Sequence, residues 1–252
     1  MIVYGVIPAR FASTRLPGKP LKMINGQPLL AWVIQASQKS QKIKKIIVAT
    51  DDERIAELAR SEGAEVAMTA SELSTGTDRI WKAVENQKVD VVINIQGDEP
   101  LVQAALLDTL VSCFEKDQAL EMATLGRKLD AEALNSPNTA KIILNHKDEA
   151  IYFSRFAIPY SRDKSDTGLG GALKHIGLYA YRRDFLEKFC RQAPVAIEIA
   201  EGLEQLRALY LGAKIKVVRV ESESWGVDTP EDVQKIEMMM QERGIKCPNQ
   251  KK

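Results

Sequence analysis

The amino-acid sequence predicts an α/β protein of the nucleotidyltransferase type, with a mostly parallel sheet flanked by helices. Apolar, β-branched runs alternate with amphipathic helical stretches through the first half of the chain. Such alternation is typical of parallel strands that are joined by helices and covered on both faces. The length of 252 residues suffices for one large domain that carries a smaller lobe.

The predicted elements follow from hydrophobic periodicity. Apolar runs predict strands over 2–7, 45–49, 65–68 and 89–95, and helical spacing predicts helices over 28–40, 53–62, 77–87 and 104–116. Shorter runs at 122–125, 141–144, 151–154 and 175–181 favour antiparallel strands. A helix over 200–211, a strand over 214–220 and a helix over 230–243 complete the chain. We interpret residues 1–252 as a single domain, with a smaller mixed lobe at about 121–200 inserted before the C-terminal helix.

Composition narrows the class of protein. The net charge of +1 gives no electrostatic reason to expect nucleic acid or an anionic membrane as partner. No apolar run approaches the roughly 20 residues of a membrane span, and the N-terminus lacks the pattern of a signal peptide. The three cysteines are widely spaced and form no metal-binding or disulfide pattern. We therefore expect a soluble, cytoplasmic protein.

The segment from residue 7 to residue 21 follows the first predicted strand and combines cations, hydroxyls and a glycine. They are Arg10, Ser13, Thr14, Arg15, Gly18 and Lys19. Arginine binds phosphate oxygens bidentately, lysine adds a compact charge, and glycine lets backbone N–H groups approach a ligand closely. The segment matches neither the P-loop nor the dinucleotide fingerprint. It predicts a polyphosphate-binding loop, with a solvated basic loop as the alternative.

Two acidic turns are candidates for a divalent cation. Asp98 lies in the sequence QGDEP after an apolar strand, and Asp228 lies in VDTPEDV before the last helix. Magnesium is commonly held by one or two carboxylates together with substrate phosphates. The alternative is that both turns only cap the elements that follow, with Thr229 or Asp228 as the N-cap and Pro230 in the first helical turn.

Three further motifs have a functional and a structural interpretation. STGTDRI at Ser74–Ile80 could read the edge of a base or could simply begin a helix. Arg155 and His175 are candidates for binding an acidic sugar, although His175 could equally be a structural residue of an apolar strand. In LEQLRAL the leucines predict core positions, whereas Glu204, Gln205 and Arg207 favour a solvated helix face.

Taken together, these motifs resemble one family along nearly the whole chain, the 3-deoxy-manno-octulosonate (Kdo) cytidylyltransferases, also called CMP-Kdo synthetases. The motifs are IPARFASTRLPGKPL, VATDDERI, STGTDRI, INIQGDEPL, YFSR, HIGLYAYR, LEQLRAL and GVDTPEDV. The resemblance implies that CTP and Kdo, an acidic eight-carbon sugar, give CMP-Kdo and pyrophosphate for lipopolysaccharide assembly. It also implies a homodimer built through the smaller lobe.

The resemblance assigns roles residue by residue. It implies Mg²⁺ held by Asp98 and Asp228, and it places Arg10, Arg15, Lys19 and Asp98 in catalysis. Nucleotide binding is implied for Ala9, Arg10, Ser13, Arg15, Lys19, Ser74, Gly76, Thr77 and Gln96. Sugar binding is implied for Arg155, His175, Glu204 and Gln205.

Two departures from the family pattern bear on the sugar. Asp78 stands in TGTDR where TGTER is common, and Trp225 stands where smaller or polar residues are usual. Asp78, together with the sequences MATLG and LRAL, also resembles a branch that activates the 8-amino analogue of Kdo, so that analogue or another acidic sugar is the alternative substrate. A nucleotide-sugar glycosyltransferase is less consistent with the sequence because QGDEP is not a DxD turn, and a non-catalytic sensor would not need both Asp98 and Asp228.

Overall fold

The computed structural model describes residues 1–12, 16–73, 75–160, 162, 170–222 and 225–247. The chain divides into two compact units. We call the first the terminal unit, which comprises Ile2–Asp108 and Ser224–Lys252. The second is the central unit, which comprises Met1 and Thr109–Glu223. The predicted bounds of the lobe, about 121–200, lie within the central unit and stay a prediction.

The elements of the described residues follow in chain order. The strands are β1 (Val3–Ala9), β2 (Met23–Ile24), β3 (Gln27–Pro28), β4 (Lys45–Thr50), β5 (Glu65–Met68), β6 (Val91–Asn94), β7 (Met122–Lys128), β8 (Lys141–Leu144), β9 (Ala150–Ser154), β10 (Leu173–Arg182) and β11 (Ile215–Arg219). The helices are α1 (Leu29–Ser37), α2 (Glu53–Ser61), α3 (Gly76–Val84), α4 (Ala104–Lys116), α5 (Ala131–Asn135), α6 (Arg183–Arg191), α7 (Ala196–Glu201), α8 (Leu206–Tyr210) and α9 (Pro230–Glu242). A short 3-10 helix covers Lys19–Leu21. Within the described parts of the chain, no helix is long and apolar enough to cross a bilayer.

A parallel sheet forms the centre of the terminal unit. Its strands lie in the order β6, β1, β4, β5, and every neighbouring pair is parallel. Val6, Ile7 and Val48 on these strands are completely shielded from solvent. Strands covered on both faces need near-continuous apolar runs, which is the pattern that the sequence shows. The predicted α/β class with a mostly parallel sheet is therefore confirmed.

The carboxyl ends of β1 and β6 are adjacent, and this adjacency positions the site. β1 continues beyond the predicted end at residue 7, because Pro8 and Ala9 pair with the last residues of β4. A Cβ atom on Gly97 would lie 3.0 Å from the carbonyl oxygen of Pro8. Glycine therefore lets the turn after β6 approach the end of β1, as ligand sites at the ends of parallel strands require.

The central unit has a mixed sheet. β7 pairs in parallel with β11 and antiparallel with β10. β10 also pairs antiparallel with β8, which pairs antiparallel with β9. The antiparallel character that was predicted for the middle of the chain is confirmed.

The predicted helix over 200–211 is wrong in its extent. The structure has two short helices here, α7 and α8, and Gly202 lies between them in the left-handed conformation with φ of +60°. The first of them begins before residue 200, where the side chain of Glu198 accepts a hydrogen bond from the N–H of Val195 at 3.1 Å. Glycine ends α7 because it adopts this backbone conformation without a steric penalty.

A buried ion pair joins α7 to α8. The guanidinium of Arg207 donates to both carboxylate oxygens of Glu198, with a distance of 2.9 Å from Nε to Oε2. The side chains of Arg207 and Glu198 are 3% and 10% exposed. The predicted solvated position of Arg207 is therefore wrong, because its charge is neutralised inside the unit.

We expect Arg207→Met to lower the free energy of unfolding by about 3–5 kcal/mol, because it leaves the buried Glu198 carboxylate without its counter-charge. Urea denaturation measures this change. Arg191→Met is the matched control, since Arg191 is 77% exposed and its ion pair with Glu187 contributes less than about 1 kcal/mol. Equal losses in the two variants would contradict the assignment.

Candidate active site

A cavity of about 310 Å³ opens at the carboxyl ends of β1 and β6 in the terminal unit. Most of the described nucleotide-binding and metal candidates line it. The lining residues are Pro8, Ala9, Arg10, Lys19, Pro20, Leu73, Thr75, Gly76, Arg79, Gln96, Gly97, Asp98 and Asp228. Thr77 does not line the cavity and is 1% exposed. Ser13, Arg15 and Ser74 lie outside the described residues.

The loop after β1 places Lys19 at this cavity. Gly18 has a φ of +66°, and its N–H donates to the carbonyl of Phe11 at 3.2 Å. A Cβ atom on Gly18 would lie 3.1 Å from the Phe11 ring, so glycine serves both the conformation and the space. The 3-10 helix starts directly after this turn, and its first residue is Lys19.

The ammonium of Lys19 lies between the two predicted metal ligands. Its Nζ is 2.7 Å from Oδ2 of Asp98 and 3.0 Å from Oδ1 of Asp228. Burial alone would lower the pKa of Lys19, but the charges and hydrogen bonds of Asp98 and Asp228 outweigh burial and raise that pKa above its usual value. Lys19 therefore stays positively charged at neutral pH and lies as a cation between the two carboxylates.

The turn that carries Asp228 is fixed by the helix that follows it. Thr229 is the N-cap of α9, and its hydroxyl accepts a hydrogen bond from the N–H of Asp232 at 3.3 Å. In return, the carboxylate of Asp232 accepts from the N–H groups of Asp228 and Thr229, each at 2.9 Å. Burial alone would raise the pKa of Asp232, but these hydrogen bonds outweigh burial and hold that pKa below its usual value. The capping interpretation is confirmed, and it leaves the Asp228 carboxylate facing the cavity.

The donor set fits a divalent cation only if the substrate contributes ligands. Among the described residues there is no group of three or more histidine, cysteine or acidic side chains that could hold a metal ion. Asp98 and Asp228 nevertheless converge on one cation, the ammonium of Lys19. Two carboxylates with phosphate oxygens and water match the coordination that magnesium prefers.

The start of α3 forms another wall of the cavity. Thr75 is its N-cap, and the Thr75 hydroxyl donates to the Asp78 carboxylate at 2.9 Å and accepts from the N–H of Asp78 at 3.1 Å. Thr75 and Gly76 line the cavity, whereas Asp78 belongs to the helix cap. The shorter acidic side chain in TGTDR therefore has a structural role.

Arg79 is a cavity residue that the sequence analysis did not assign. It is 3% exposed, and its guanidinium donates to the Thr69 hydroxyl and, at 3.2 Å, to Asp51. Thr69 and Asp51 follow β5 and β4, so Arg79 ties the first turn of α3 to the carboxyl edge of the sheet. Only the buried Asp–Arg pairing reveals this role, and sequence spacing gives no signal for it.

Arg155, in the central unit, binds backbone oxygens. Its guanidinium donates to the carbonyls of Glu201 at 2.9 Å, Pro137 at 3.1 Å and Gly202 at 3.3 Å. The backbone N–H of Arg155 donates to the Glu201 carboxylate at 2.8 Å. These bonds fix the segment after β9 to the end of α7.

His175 lies on β10 in an aromatic cluster. The centroid of its ring is 5.3 Å from that of Phe153 and 5.2 Å from that of Tyr179, and its Nε2 is 3.1 Å from the Thr124 hydroxyl. That hydroxyl donates to the carbonyl of Leu178 at 2.8 Å, which favours the tautomer that carries the proton on Nε2. Burial lowers the pKa of His175 to about 3. The ring is therefore neutral and offers Nδ1 as an acceptor.

Glu204 and Gln205 precede α8, and Gln205 is not on the solvated face that its spacing predicted. Gln205 is 4% exposed, and its amide nitrogen has no hydrogen-bond partner among the described residues. Glu204 lies 3.7 Å from the Arg207 guanidinium. Burial, together with the charge of Glu204, raises the pKa of Tyr179 above its usual range. Buried amides normally have a partner, so Gln205 is a candidate to bind a ligand.

Comparison with known proteins agrees with this geometry. A cytidylyltransferase family model matches residues 4–215. The 3-deoxy-manno-octulosonate cytidylyltransferase of Bdellovibrio bacteriovorus is 51% identical over 247 residues, covering 97% of this chain and 100% of that protein. The enzyme of the same name from Geobacter metallireducens is 42% identical over 245 residues, covering 94% and 96%.

The chain belongs to the 3-deoxy-manno-octulosonate cytidylyltransferase family. The resemblance given by the sequence motifs is thereby confirmed. A solved structure described as CMP:2-keto-3-deoxy-manno-octonic acid synthetase complexed with CTP is 36% identical to the chain, with a TM-score of 0.91. It covers 96% of this chain and 100% of its own. This cytidylyltransferase therefore has the nucleotidyltransferase fold expected of the family.

Trp225 has a packing role in this cytidylyltransferase. Its ring packs against an apolar cluster that includes Val227 and Ile236, and the ammonium of Lys235 lies 4.6 Å from the ring centroid. Apolar packing of a large aromatic ring and its cation–π contact with an ammonium both stabilise the folded chain. The unusual residue therefore supports the segment that precedes Asp228.

We expect acid to destabilise the protein through His175. Unfolded histidine binds a proton below about pH 6.5, whereas folded His175 binds one only near pH 3, so stability falls as the pH drops through this window. Between pH 7 and pH 5 the wild type should lose about 2 kcal/mol more unfolding free energy than His175→Gln.

Urea denaturation at the two pH values measures this difference. His146→Gln is the control, because His146 is the only other histidine and is exposed. It should retain the wild-type pH dependence. A wild-type slope in His175→Gln would show that His175 is not the titrating group.

Proposed function

We propose that the protein transfers the cytidylyl group of CTP to the anomeric hydroxyl of Kdo, forming CMP-Kdo and pyrophosphate for lipopolysaccharide assembly. The observation that carries this proposal is the meeting of Lys19 with Asp98 and Asp228 in a cavity that Arg10 also lines. Cations and carboxylates together suit a metal-bound triphosphate. The 51% identity to a protein named for this activity supports the sugar assignment.

Catalysis of this reaction requires that the protein position the two substrates and neutralise charge, and it requires no covalent intermediate with the protein. The anomeric oxygen attacks the α-phosphorus, the bond from that phosphorus to the bridging oxygen breaks, and pyrophosphate leaves in line. Lys19, Arg10 and Arg15 bind the triphosphate and offset the negative charge that accumulates on the leaving pyrophosphate. Gln96 and the backbone near Ala9 and Gly76 hold the nucleotide, with Ser13, Ser74 and Thr77 as further family assignments.

Mg²⁺ is the proposed cofactor, and Asp98 and Asp228 are the residues that would hold it. When bound, the metal ion supplies charge neutralisation and lowers the pKa of the attacking hydroxyl. The two carboxylates would contribute oxygen ligands, and hydrogen bonds to the backbone of Asp98 and Asp228 orient the turns that carry them.

Sugar binding is proposed for Arg155, His175, Glu204 and Gln205 of the central unit. The amide nitrogen of Gln205, which has no partner among the described residues, is a donor for a sugar hydroxyl or carboxylate. His175 contributes an acceptor nitrogen and no positive charge. Arg155 already serves three backbone carbonyls, so its contribution is to the shape of the segment as well as to charge.

We expect pyrophosphate release from CTP only when the correct sugar and Mg²⁺ are both present. A coupled pyrophosphate assay compares Kdo, 8-amino-Kdo and N-acetylneuraminate at equal concentrations. Preference for Kdo supports the proposal, whereas preference for the amino sugar keeps the chemistry and changes the substrate. The absence of pyrophosphate release with all three sugars, or the release of a nucleoside diphosphate, would contradict the proposal.

Asp98→Asn tests the catalytic role of Asp98. It preserves the size of the side chain but removes a metal-binding charge, so turnover should fall by about a hundredfold or more with the melting temperature largely retained. Asp90→Asn is the reference substitution, because Asp90 is exposed, does not line the cavity, and accepts a hydrogen bond from the N–H of Ile2. Near-normal turnover in Asp98→Asn would remove Asp98 from catalysis.

The protein is also proposed to act as a cytoplasmic homodimer through the central unit. Ile151, Phe156, Tyr160 and Ile199 are all more than half exposed. Hydrogen bonds from Arg155 to Glu201 connect the segment of Phe156 with the end of the helix that carries Ile199. Large exposed apolar side chains that occur together are typical of subunit interfaces.

We expect Phe156→Glu to shift the protein from dimer to monomer, because a charge replaces an apolar contact that is 79% exposed in the single chain. Sedimentation velocity measures the mass in solution. Met238→Glu is the control, since Met238 is an exposed apolar residue of the terminal unit and should leave the mass unchanged. A monomeric wild type would contradict the proposed assembly.

A further inference from the structure

The cation that Asp98 and Asp228 share belongs to the chain itself. Both carboxylates lie within 3.0 Å of the Lys19 ammonium, and their side chains are 28% and 41% exposed. Two carboxylates this close together repel each other, and a cation between them offsets that repulsion. One ammonium provides a single positive charge for two negative charges, so the pair retains attraction for a divalent ion.

The backbone of the two acidic turns is held in place by hydrogen bonds that do not involve Lys19. The N–H of Val227 donates to the backbone carbonyl of Asp98 at 2.9 Å, which joins the two acidic turns. The carboxylate of Asp232 fixes the backbone of Asp228 and Thr229. Lys19, by contrast, reaches the pair through a long and flexible side chain. Exchange of the cation therefore requires rotation of the Lys19 side chain and no rearrangement of the backbone of the two turns.

We propose that Lys19 is an exchangeable counter-ion of the Asp98–Asp228 pair, which competes with a divalent metal ion for the same oxygens and leaves them for a triphosphate. This inference rests on the proposed function for the identity of the triphosphate. It goes beyond phosphate binding by Lys19, because it makes one residue oppose metal binding before the nucleotide arrives and favour it afterwards. The metal ion and the triphosphate then strengthen each other's binding. The triphosphate draws Lys19 away from the carboxylates and so removes the competitor of the metal ion, while the metal ion releases Lys19 to pair with the phosphates.

Metal binding to the protein without nucleotide tests the proposal directly. Mn²⁺ is the probe, and its free concentration is followed by electron paramagnetic resonance. Lys19→Met should bind Mn²⁺ about tenfold more tightly than the wild type, because a competing ion pair with each carboxylate is removed. Lys19→Arg should remain as weak as the wild type. Lys22→Met removes a nearby exposed cation outside the pair and is the charge-matched control.

The outcomes separate this inference from the proposed metal site. Equal Mn²⁺ affinity in the wild type and Lys19→Met, with weaker binding when Asp98→Asn is added, would overturn the exchange alone. Binding that is unaffected by Asp98→Asn in the Lys19→Met background would overturn the metal site of the proposed function. Tightening of the same size in Lys22→Met would reduce the effect to net charge and also overturn the exchange.

A measurement on the wild type does not depend on the folding of any variant. Lys19 and Lys22 are acetylated with an N-hydroxysuccinimide ester, and mass spectrometry compares the two sites with and without Mg²⁺. The side chain of Lys19 is 18% exposed in its ion pairs, so its release should raise its labelling several-fold relative to Lys22. Unchanged or lower labelling of Lys19 at saturating Mg²⁺ would contradict the exchange.

Discussion

The ion pairs of Lys19 with Asp98 and Asp228 bring together three parts of the chain that are far apart in sequence. Their geometry depends on backbone features that carry no charge. Gly18 turns the first loop, Gly97 lets the end of one strand approach another, and the cap of the last helix orients Asp228. Each feature is local, yet all serve to hold two carboxylates around one cation in a cavity open to solvent.

The central unit places its polar groups differently. It keeps His175 as a neutral ring, buries Arg207 with its counter-charge, and uses Arg155 to bind backbone carbonyls. The buried charge of Arg207 is neutralised by Glu198 and is not available to attract a ligand, so neutral hydrogen-bonding groups take part in recognition beside Arg155 and Glu204. Gln205 is the clearest such group, because its buried amide nitrogen has no partner in the described structure.

Sequence patterns predicted most of the fold because the buried strands and amphipathic helices of the terminal unit have strong periodicity. They also predicted the cap at Thr229 and Pro230 from residue type alone. The break at Gly202 was missed because the leucines on both sides continue at helical spacing. The roles of Arg79 and Arg207 were missed because burial of a charge depends on a partner brought close by the fold, which spacing cannot reveal. Motifs located the cavity residues, but the pairing of Lys19 with both carboxylates needed the structure.

The most direct test of this account is a crystal structure with CTP and Mn²⁺, using anomalous scattering to locate the metal ion. We predict an anomalous peak in contact with carboxylate oxygens of both Asp98 and Asp228, with the Lys19 ammonium on a phosphate oxygen of the nucleotide. A metal ion that contacts neither carboxylate, or a Lys19 that still bridges both of them beside the bound nucleotide, would contradict it.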